Sequence, residues 1–187
     1  MPSKLNSPIG FGTTTSTLNF YIANRPPITP FSELNTLYVL QKEDIGYIAK
    51  NTSNHWRKVF NVCAKFLFEL EHDTHQQSPW ATWQAFRDES MFQTGSPYGL
   101  HFSTPNLSAP NLSTPKEEQN KVIHIVCGKT YAQTLELPHL LWLDNYFAIS
   151  ETHPIIVCPY LDYRQLSNAR ISQLVALTKN MQAKSLK

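Results

Sequence analysis

The hydrophobic pattern of the C-terminal third predicts a strand, a glycine and a helix, then a second strand, a polar loop and a last helix. The first unit spans Val122–Leu137 and turns at Gly128, and the second spans Ile155–Lys184. β-Branched runs of this kind are typical of strands that are buried on both faces. Two such units in succession place ligand-binding groups at the carboxyl edge of a parallel sheet.

A long amphipathic helix is predicted at Ser53–His72, where apolar residues recur at helical spacing. Ser78 and Pro79 form a suitable cap and first-turn pair for another helix. The remaining elements of this half are a strand at Leu18–Ala23, short helical or irregular pieces at Phe31–Leu40 and Asp44–Lys50, and that second helix at Pro79–Glu89.

Two segments rich in Gly, Ser, Pro and Asn interrupt this pattern. Residues 1–17 are predicted to form a flexible N-terminal segment. Residues 18–187 are predicted to form a single α/β domain with a long loop at 93–120, in which Leu100–Ser103 forms a short strand. We expect a three-layer fold, with a roughly four-stranded, mostly parallel sheet flanked by helices.

Composition narrows the class of protein. The chain has 187 residues, of which 41% are hydrophobic. Its net charge is only +2, so it does not have the large excess of basic residues that is typical of a dedicated nucleic-acid-binding protein. No apolar run approaches the roughly 20 residues of a membrane helix, and the N-terminus lacks a secretory pattern. We therefore expect a cytoplasmic protein that does not bind membranes, with its three cysteines as buried, reduced thiols.

Three segments resemble uracil-DNA glycosylases. Gly99–Pro105 looks like the stretch whose Phe stacks on the flipped base, and Ile125–Gln133 resembles the family's late strand-glycine-helix turn. Val157–Ser167 is similar in placement to the His-Pro-Ser loop that opens the last helix. The segments occur in the family's order, and the resemblance implies a four-stranded parallel sheet between helices.

The catalytic motifs of that family are absent. No Gly-Gln-Asp-Pro-Tyr motif precedes Gly99, and the family's catalytic His would fall at Cys158. Its Ser would fall at Tyr160, and its groove-inserting Leu at Asp162. These departures argue against ordinary uracil excision, and they leave open whether the chain is an enzyme.

The candidate site combines the two C-terminal turns with an aromatic platform. A planar ligand would stack between the loop Cys158–Arg164, the turn after Cys127, and the rings of Tyr98 and Phe102. The sequence predicts no metal site and no cofactor. Gly128-Lys129-Thr130 ends like a phosphate loop, but position 123 is Ile rather than Gly. The ligand-binding candidates are Tyr98, Phe102, Gly128, Lys129, Cys158, Tyr160, Asp162 and Arg164.

Two functions fit this pattern. The first is a non-catalytic binding or interaction protein that holds a nucleobase, nucleotide or other small anionic ligand at the carboxyl edge of its sheet. The alternative is a divergent nucleobase- or nucleoside-acting hydrolase, which needs a carboxylate with a raised pKa, such as Asp162 or Asp144. Nucleic acid, a small planar ligand and another protein remain open as partners.

Overall fold

The computed structural model describes residues 7–73, 79–107 and 122–184. Their eight strands form one sheet. The strands are β1 (Gly10–Phe11), β2 (Leu18–Tyr21), β3 (Leu37–Tyr38), β4 (Tyr98–His101), β5 (Ile123–Cys127), β6 (Leu140–Trp142), β7 (Ala148–Ser150) and β8 (Ile155–Cys158). The α-helices are α1 (Asp44–Asn51), α2 (Asn54–Asp73), α3 (Trp83–Glu89), α4 (Lys129–Gln133) and α5 (Asn168–Lys184).

The centre of the sheet is parallel and its edges are mixed. The spatial order is β3-β1-β4-β2-β5-β8-β7-β6. β4, β2, β5 and β8 are all parallel to their neighbours within this group. β1 runs antiparallel to β4, and β7 runs antiparallel to β8. The predicted α/β class is confirmed. The expected count of four strands is wrong, because short strands extend the parallel centre on both sides.

The two faces of the sheet are covered unequally. Leu18 and Phe20 of β2 point into the main core, which also contains side chains of α1, α2, α3 and α5. The next residue, Tyr21, belongs to a smaller cluster on the opposite face, together with Ala132 of α4. This alternation follows from the two-residue period of a strand. The sheet therefore has a thick helical layer on one face and a thin layer on the other.

The helix α2 supplies much of the main core. Its apolar stripe includes Trp56, Phe60 and Phe66, and all three side chains are fully buried. Burial of one such side chain contributes about 1.5–3 kcal/mol to stability. The helix begins beside the loop that follows β8, where the ammonium group of Lys58 lies 2.8 Å from the carboxylate of Asp162. The bounds of α2 confirm the predicted helix at Ser53–His72 to within one residue at each end.

The described part of the predicted flexible segment belongs to the sheet. Phe11 of β1 has no exposed surface and lies in the main core. Gly10 has φ +154°, and a Cβ atom there would lie 2.2 Å from the carbonyl oxygen of Leu100. The chain can approach β4 this closely only because residue 10 has no side chain. Residues 1–6 lie outside the described part of the chain.

Two other boundaries differ from the sequence prediction. Within the predicted loop at 93–120, the strand β4 begins at Tyr98, and residues 108–120 lie outside the described part. Helix α3 begins at Trp83, because the Thr82 hydroxyl caps it by accepting a hydrogen bond from the Ala85 amide at 3.2 Å. Ser78, the predicted cap, lies outside the described residues.

The antiparallel hairpin of β6 and β7 was not predicted, and it forms one edge of the sheet. Its outer strand exposes Leu141 and Trp142. Within the three described segments, no helix is both long and apolar enough to span a bilayer.

Candidate functional site

The carboxyl ends of β2, β5 and β8 lie side by side. The predicted site residues Gly128 and Tyr160 follow β5 and β8, and Asn24, which was not predicted, follows β2. The Gly128 amide donates a hydrogen bond to the Cys158 carbonyl at 2.8 Å, which ties the two turns together. With φ +107°, Gly128 adopts a conformation that favours glycine. We call Asn24, His55, Gly128 and Tyr160 the edge site.

Tyr160 is fixed by two side chains from other elements. Its hydroxyl lies 2.7 Å from Nε2 of His55, and the amide of Asn24 donates to it at 3.2 Å. The rings of His55 and Tyr160 stack with centroids 5.5 Å apart. Burial raises the pKa of Tyr160 to about 12, so its hydroxyl remains protonated at neutral pH. Partial burial lowers the pKa of His55 despite the nearby carboxylate of Asp162.

The loop after β8 is joined to α2 by an ion pair. Lys58 donates to Asp162 at 2.8 Å, and the Arg164 amide donates to the same carboxylate at 3.0 Å. Burial raises the pKa of Asp162, but these two hydrogen bonds outweigh it and hold the pKa below its usual value. The ammonium of Lys58 also lies 5.0 Å from the centre of the Tyr163 ring. That ring is 53% exposed and thus offers a free aromatic surface beside positive charge.

Exposed cationic side chains lie on this loop and on helices that begin near it. Arg57 in the first turn of α2 donates to the Asn54 side chain at 2.7 Å and is exposed to solvent. Arg164 is exposed and lies 5.9 Å from the Tyr163 ring. The side chain of Lys129 turns toward the hairpin, where its ammonium lies 4.4 Å from the Trp142 ring. The exposed side chains of Arg57 and Arg164 therefore offer positive charge to an anionic group.

The structure separates Cys158 and Tyr98 from this loop. Cys158 is fully buried, and its sulfur lies 3.8 Å from that of Cys127. Tyr98 begins β4, which runs parallel to β2. It therefore lies at the amino ends of these strands, whereas the edge site lies at the carboxyl ends. Its hydroxyl donates to a carboxylate oxygen of Glu71 at 2.9 Å. Neither side chain is brought to the edge site.

Phe102 follows the carboxyl end of β4, but its ring lies in the main core. It packs edge-to-face against Phe11 at 5.1 Å and against Trp56 at 6.0 Å. The expected aromatic wall of Tyr98 and Phe102 therefore has its rings among core side chains. The exposed aromatic ring near the edge site is that of Tyr163 instead.

A second polar group lies on the thinly covered face of the sheet. Asn19, Tyr21, His101 and His124 project from three adjacent parallel strands, and we call them the face cluster. The Tyr21 hydroxyl lies 2.7 Å from Nδ1 of His124. The Tyr21 ring also contacts His101 edge-to-face, with centroids 5.2 Å apart. Burial raises the pKa of Tyr21, so its phenol stays neutral.

The histidines of the face cluster are uncharged at neutral pH. Burial lowers the pKa of His101 to about 4, and repulsion from His124 adds to this effect. Burial lowers the pKa of His124 to about 4 as well, with a contribution from His153. Among the described residues, no group of three His, Cys, Asp or Glu side chains is arranged to hold a metal ion.

A family model matches residues 9–179. The chain belongs to DUF6942, a family of unknown function. No curated protein matches the chain, and no solved structure does. The DUF6942 match extends from the residue before β1 into α5, so it includes both the edge site and the face cluster. Membership assigns no activity to either of them.

The sequence of this DUF6942 chain contained a signal for the face cluster. In β2, the polar Asn19 and the tyrosine Tyr21 alternate with Leu18 and Phe20, in a strand whose four residues are all buried. Polar side chains at every second position of a buried strand indicate one face with its own hydrogen bonding. The two histidines of this cluster lie on β4 and β5, and they meet only because both strands pair with β2.

Proposed function

We propose that this protein is a non-catalytic binding protein that holds a small anionic ligand with a planar ring, of nucleotide type, at the carboxyl edge of its sheet. The arrangement of Tyr163 carries this proposal. The centre of its exposed ring lies 5.0 Å from the Lys58 ammonium and 5.9 Å from the Arg164 guanidinium, and Tyr163 follows Tyr160 of the edge site in the same loop. Cations beside an exposed aromatic ring suit a ligand that combines an anionic group with a flat base.

The rigidity of the loop supports the same function. The loop Pro159–Arg164 is held by the pair of Lys58 and Asp162 and by the hydrogen bonds of Tyr160. A preformed loop loses little conformational entropy when a ligand binds. The location also suits a ligand site, because open α/β sheets bind ligands beyond the carboxyl ends of their parallel strands.

The state of the carboxylates favours binding over hydrolysis. A hydrolase of the alternative kind needs a carboxylate with a raised pKa near the ligand. The pKa of Asp162 is lowered, as described above. The pKa of Asp144 is also lowered, because hydrogen bonds from Gln173 and the Tyr146 and Phe147 amides outweigh the effect of burial. Both candidate bases are thus stabilised as carboxylate anions.

We also propose that this chain is a distant relative of the uracil-DNA glycosylases. The parallel centre of β4, β2, β5 and β8 supports it, since the resemblance implies four parallel strands between helices. The core position of Phe102 and the burial of Cys158 fit a relative without base excision. We also propose a cytoplasmic location, which is supported by three buried cysteines that are all free thiols.

Binding of AMP and of a short single-stranded DNA, measured by calorimetry from low to physiological salt, tests this function. We expect binding that weakens as salt rises. Arg164→Ala should reduce affinity about tenfold if the guanidinium contacts a phosphate. Tyr163→Ala should cost about 1–3 kcal/mol, the value of one base-aromatic stack.

Lys65→Ala is the matched control. Lys65 lies on the same helix as Lys58, and its ammonium is 5.3 Å from the Trp83 ring rather than at the edge site. This variant removes one positive charge and should leave affinity unchanged. Absence of binding to both probes at low salt would overturn the proposed function, and so would equal losses for Arg164→Ala and Lys65→Ala.

A further inference from the structure

The strand β6 has a neighbouring strand on one side only. It stands last in the strand order, and among the described residues it pairs with β7 alone. Directly after β6, the Leu143 amide donates to the Phe147 carbonyl at 2.9 Å, so residue 143 directs its backbone groups toward β7. This direction alternates along an antiparallel strand. The N–H and C=O groups of Leu140 and Trp142 therefore point away from β7, toward the open side of β6.

Apolar side chains are concentrated beside this open strand. Among the described residues, six large hydrophobic side chains are exposed, and four of them lie within residues 141–146. These four are Leu141, Trp142, Leu143 and Tyr146, each 37–45% exposed, and we call them the hairpin patch. At roughly 200 Å² for a residue of this size, the patch presents roughly 350 Å² of surface. An apolar patch of this size on a soluble protein is often functional.

The two end strands of the sheet differ in how they are protected. Proteins commonly protect an end strand by making it very short or by placing a charged residue or a proline in it. β3, at the other end, has two residues, and neither is exposed. The four residues from Leu140 to Leu143 include no charged residue and no proline. An apolar end strand with free backbone groups is a template for another strand.

The free backbone groups of β6 are complementary to themselves. When β6 meets a second β6 in the antiparallel direction, Leu140 of each strand can lie opposite Trp142 of the other. Each of these two pairs exchanges two hydrogen bonds, and a twofold axis relates the pairs. Leu141 then lies at this axis, opposite Leu141 of the second copy. The ladder ends at Pro138, which has no N–H group to donate.

We propose that β6 pairs with β6 of a second copy, so that the two sheets join into one continuous sheet in a twofold dimer. A second copy presents the same apolar side chains and the same free groups, so a single contact covers both open strands. A stable dimer buries about 800 Å² on each partner, and the hairpin patch supplies less than half of this area. The dimer is therefore reversible, with a dissociation constant in the micromolar range.

The direction of the strands places the two edge sites apart. β6 runs parallel to β8, since each is antiparallel to β7. The antiparallel contact between two copies of β6 therefore puts the carboxyl ends of the two parallel centres at opposite edges of the joined sheet. The dimer does not depend on the ligand proposed for the edge site.

Sedimentation velocity of the full chain, from low-micromolar to submillimolar concentration, tests the dimer. We expect the sedimentation coefficient to rise from that of a monomer to that of a dimer. Leu141→Lys places two ammonium groups opposite each other at the axis and should raise the dissociation constant at least about tenfold. Tyr47→Lys is the matched control, because it replaces an exposed side chain of α1 with the same charge and should leave the constant unchanged.

Two results of this experiment would overturn the proposal. One is a parent chain that stays monomeric over the whole range, which would leave the open strand to an extended segment of another protein. The other is a dimer that Leu141→Lys leaves intact.

A pair of opposite charges tests the position of Leu141 at the axis. Leu141→Lys and Leu141→Glu should each be monomeric alone, because like charges then face each other. An equal mixture of the two should dimerise again, because the ammonium of one copy meets the carboxylate of the other. This recovery would show that neither variant dissociates through misfolding. A mixture that stays monomeric would contradict the proposed pairing.

Amide hydrogen exchange locates the contact without any substitution. The amides of Leu140 and Trp142 should become protected as the concentration rises through the dissociation constant. The Leu141 amide points toward β7, so its protection should be equal in dilute and concentrated samples. Protection that rises only in other segments would place the contact elsewhere and overturn the proposal.

Discussion

The hydroxyl of Tyr160 lies 2.7 Å from Nε2 of His55, and the two rings stack with an interplanar angle of 15°. Tyr160 follows β8, and His55 lies in the first turn of α2. This contact therefore joins the carboxyl edge of the sheet to the first turn of the helix that forms much of the core. It fixes the relative positions of the edge-site side chains.

Removal of the Tyr160 hydroxyl should destabilise the protein measurably. Tyr160→Phe keeps the stacked ring but leaves the half-buried His55 and the Asn24 amide without this partner, which should cost about 1–2 kcal/mol. The measurement is urea unfolding followed by circular dichroism. Tyr163→Phe is the control, because that ring is exposed and should change stability by less than about 0.5 kcal/mol. Equal stabilities of the two variants would contradict the role of the hydroxyl.

Stability should fall as the pH drops from about 6.5 to about 4. In the folded protein the pKa values of His101 and His124 are lowered to about 4 from 6.5. The unfolded chain takes up these protons first, so the stabilisation is complete above pH 6.5 and is lost as the pH falls through 4. Each histidine should contribute about 3 kcal/mol to this loss.

Unfolding free energies at pH 7 and pH 4.5 test this prediction. His101→Asn removes one titrating group and should reduce the difference between the two pH values. His139→Asn alters an exposed histidine and should leave the difference as it is in the parent protein. A His101→Asn protein with the full pH difference would show that His101 is already protonated or accessible in the folded state.

Two glycine substitutions should have opposite effects. Gly10→Ala places a Cβ atom 2.2 Å from the Leu100 carbonyl oxygen at a φ of +154°, and it should destabilise the protein by about 2 kcal/mol or more. Gly46 lies in α1 with no atom near an added Cβ, so Gly46→Ala should stabilise by about 0.5–1 kcal/mol. Thermal unfolding of the two variants gives the comparison. A neutral Gly10→Ala would indicate that β1 is not tightly paired with β4.

The three cysteines should be unreactive in the folded protein. All are fully buried, and burial raises the pKa of Cys63 and Cys127 well above the usual value. The thiolate is the reactive form, so an aromatic disulfide reagent at pH 8 should label the native chain very slowly. Three thiols should react at once in denaturant. Rapid labelling of one native cysteine would reveal local opening of the core around β5 and β8.

The parallel centre could be predicted from sequence because its signals are local. β5 and β8 are runs of β-branched residues, and each is followed by a turn and a helix. The long apolar stripe of α2 is equally local. These features depend on spacing within one segment, and the structure follows them closely.

The edges of the sheet and the face cluster could not be predicted in the same way. β1 and β3 have two residues each, which is too short for any periodicity. Asn19 and His101 become neighbours because β4 pairs with β2, and that pairing depends on the whole fold. The contact between Lys58 and the exposed ring of Tyr163 likewise joins distant parts of the chain. The spacing of residues along the sequence does not predict contacts of this kind.

The strand order also constrains how the chain folds as it is synthesised. β2 lies between β4 and β5, so Leu18–Tyr21 finds its two partners only in Tyr98–His101 and Ile123–Cys127. Such distant pairing raises contact order and slows folding. While the ribosome makes the intervening residues, Leu18 and Phe20 lack both neighbouring strands. A nascent chain that pauses before residue 123 therefore carries an incomplete sheet, and we expect it to need protection from aggregation until β5 emerges.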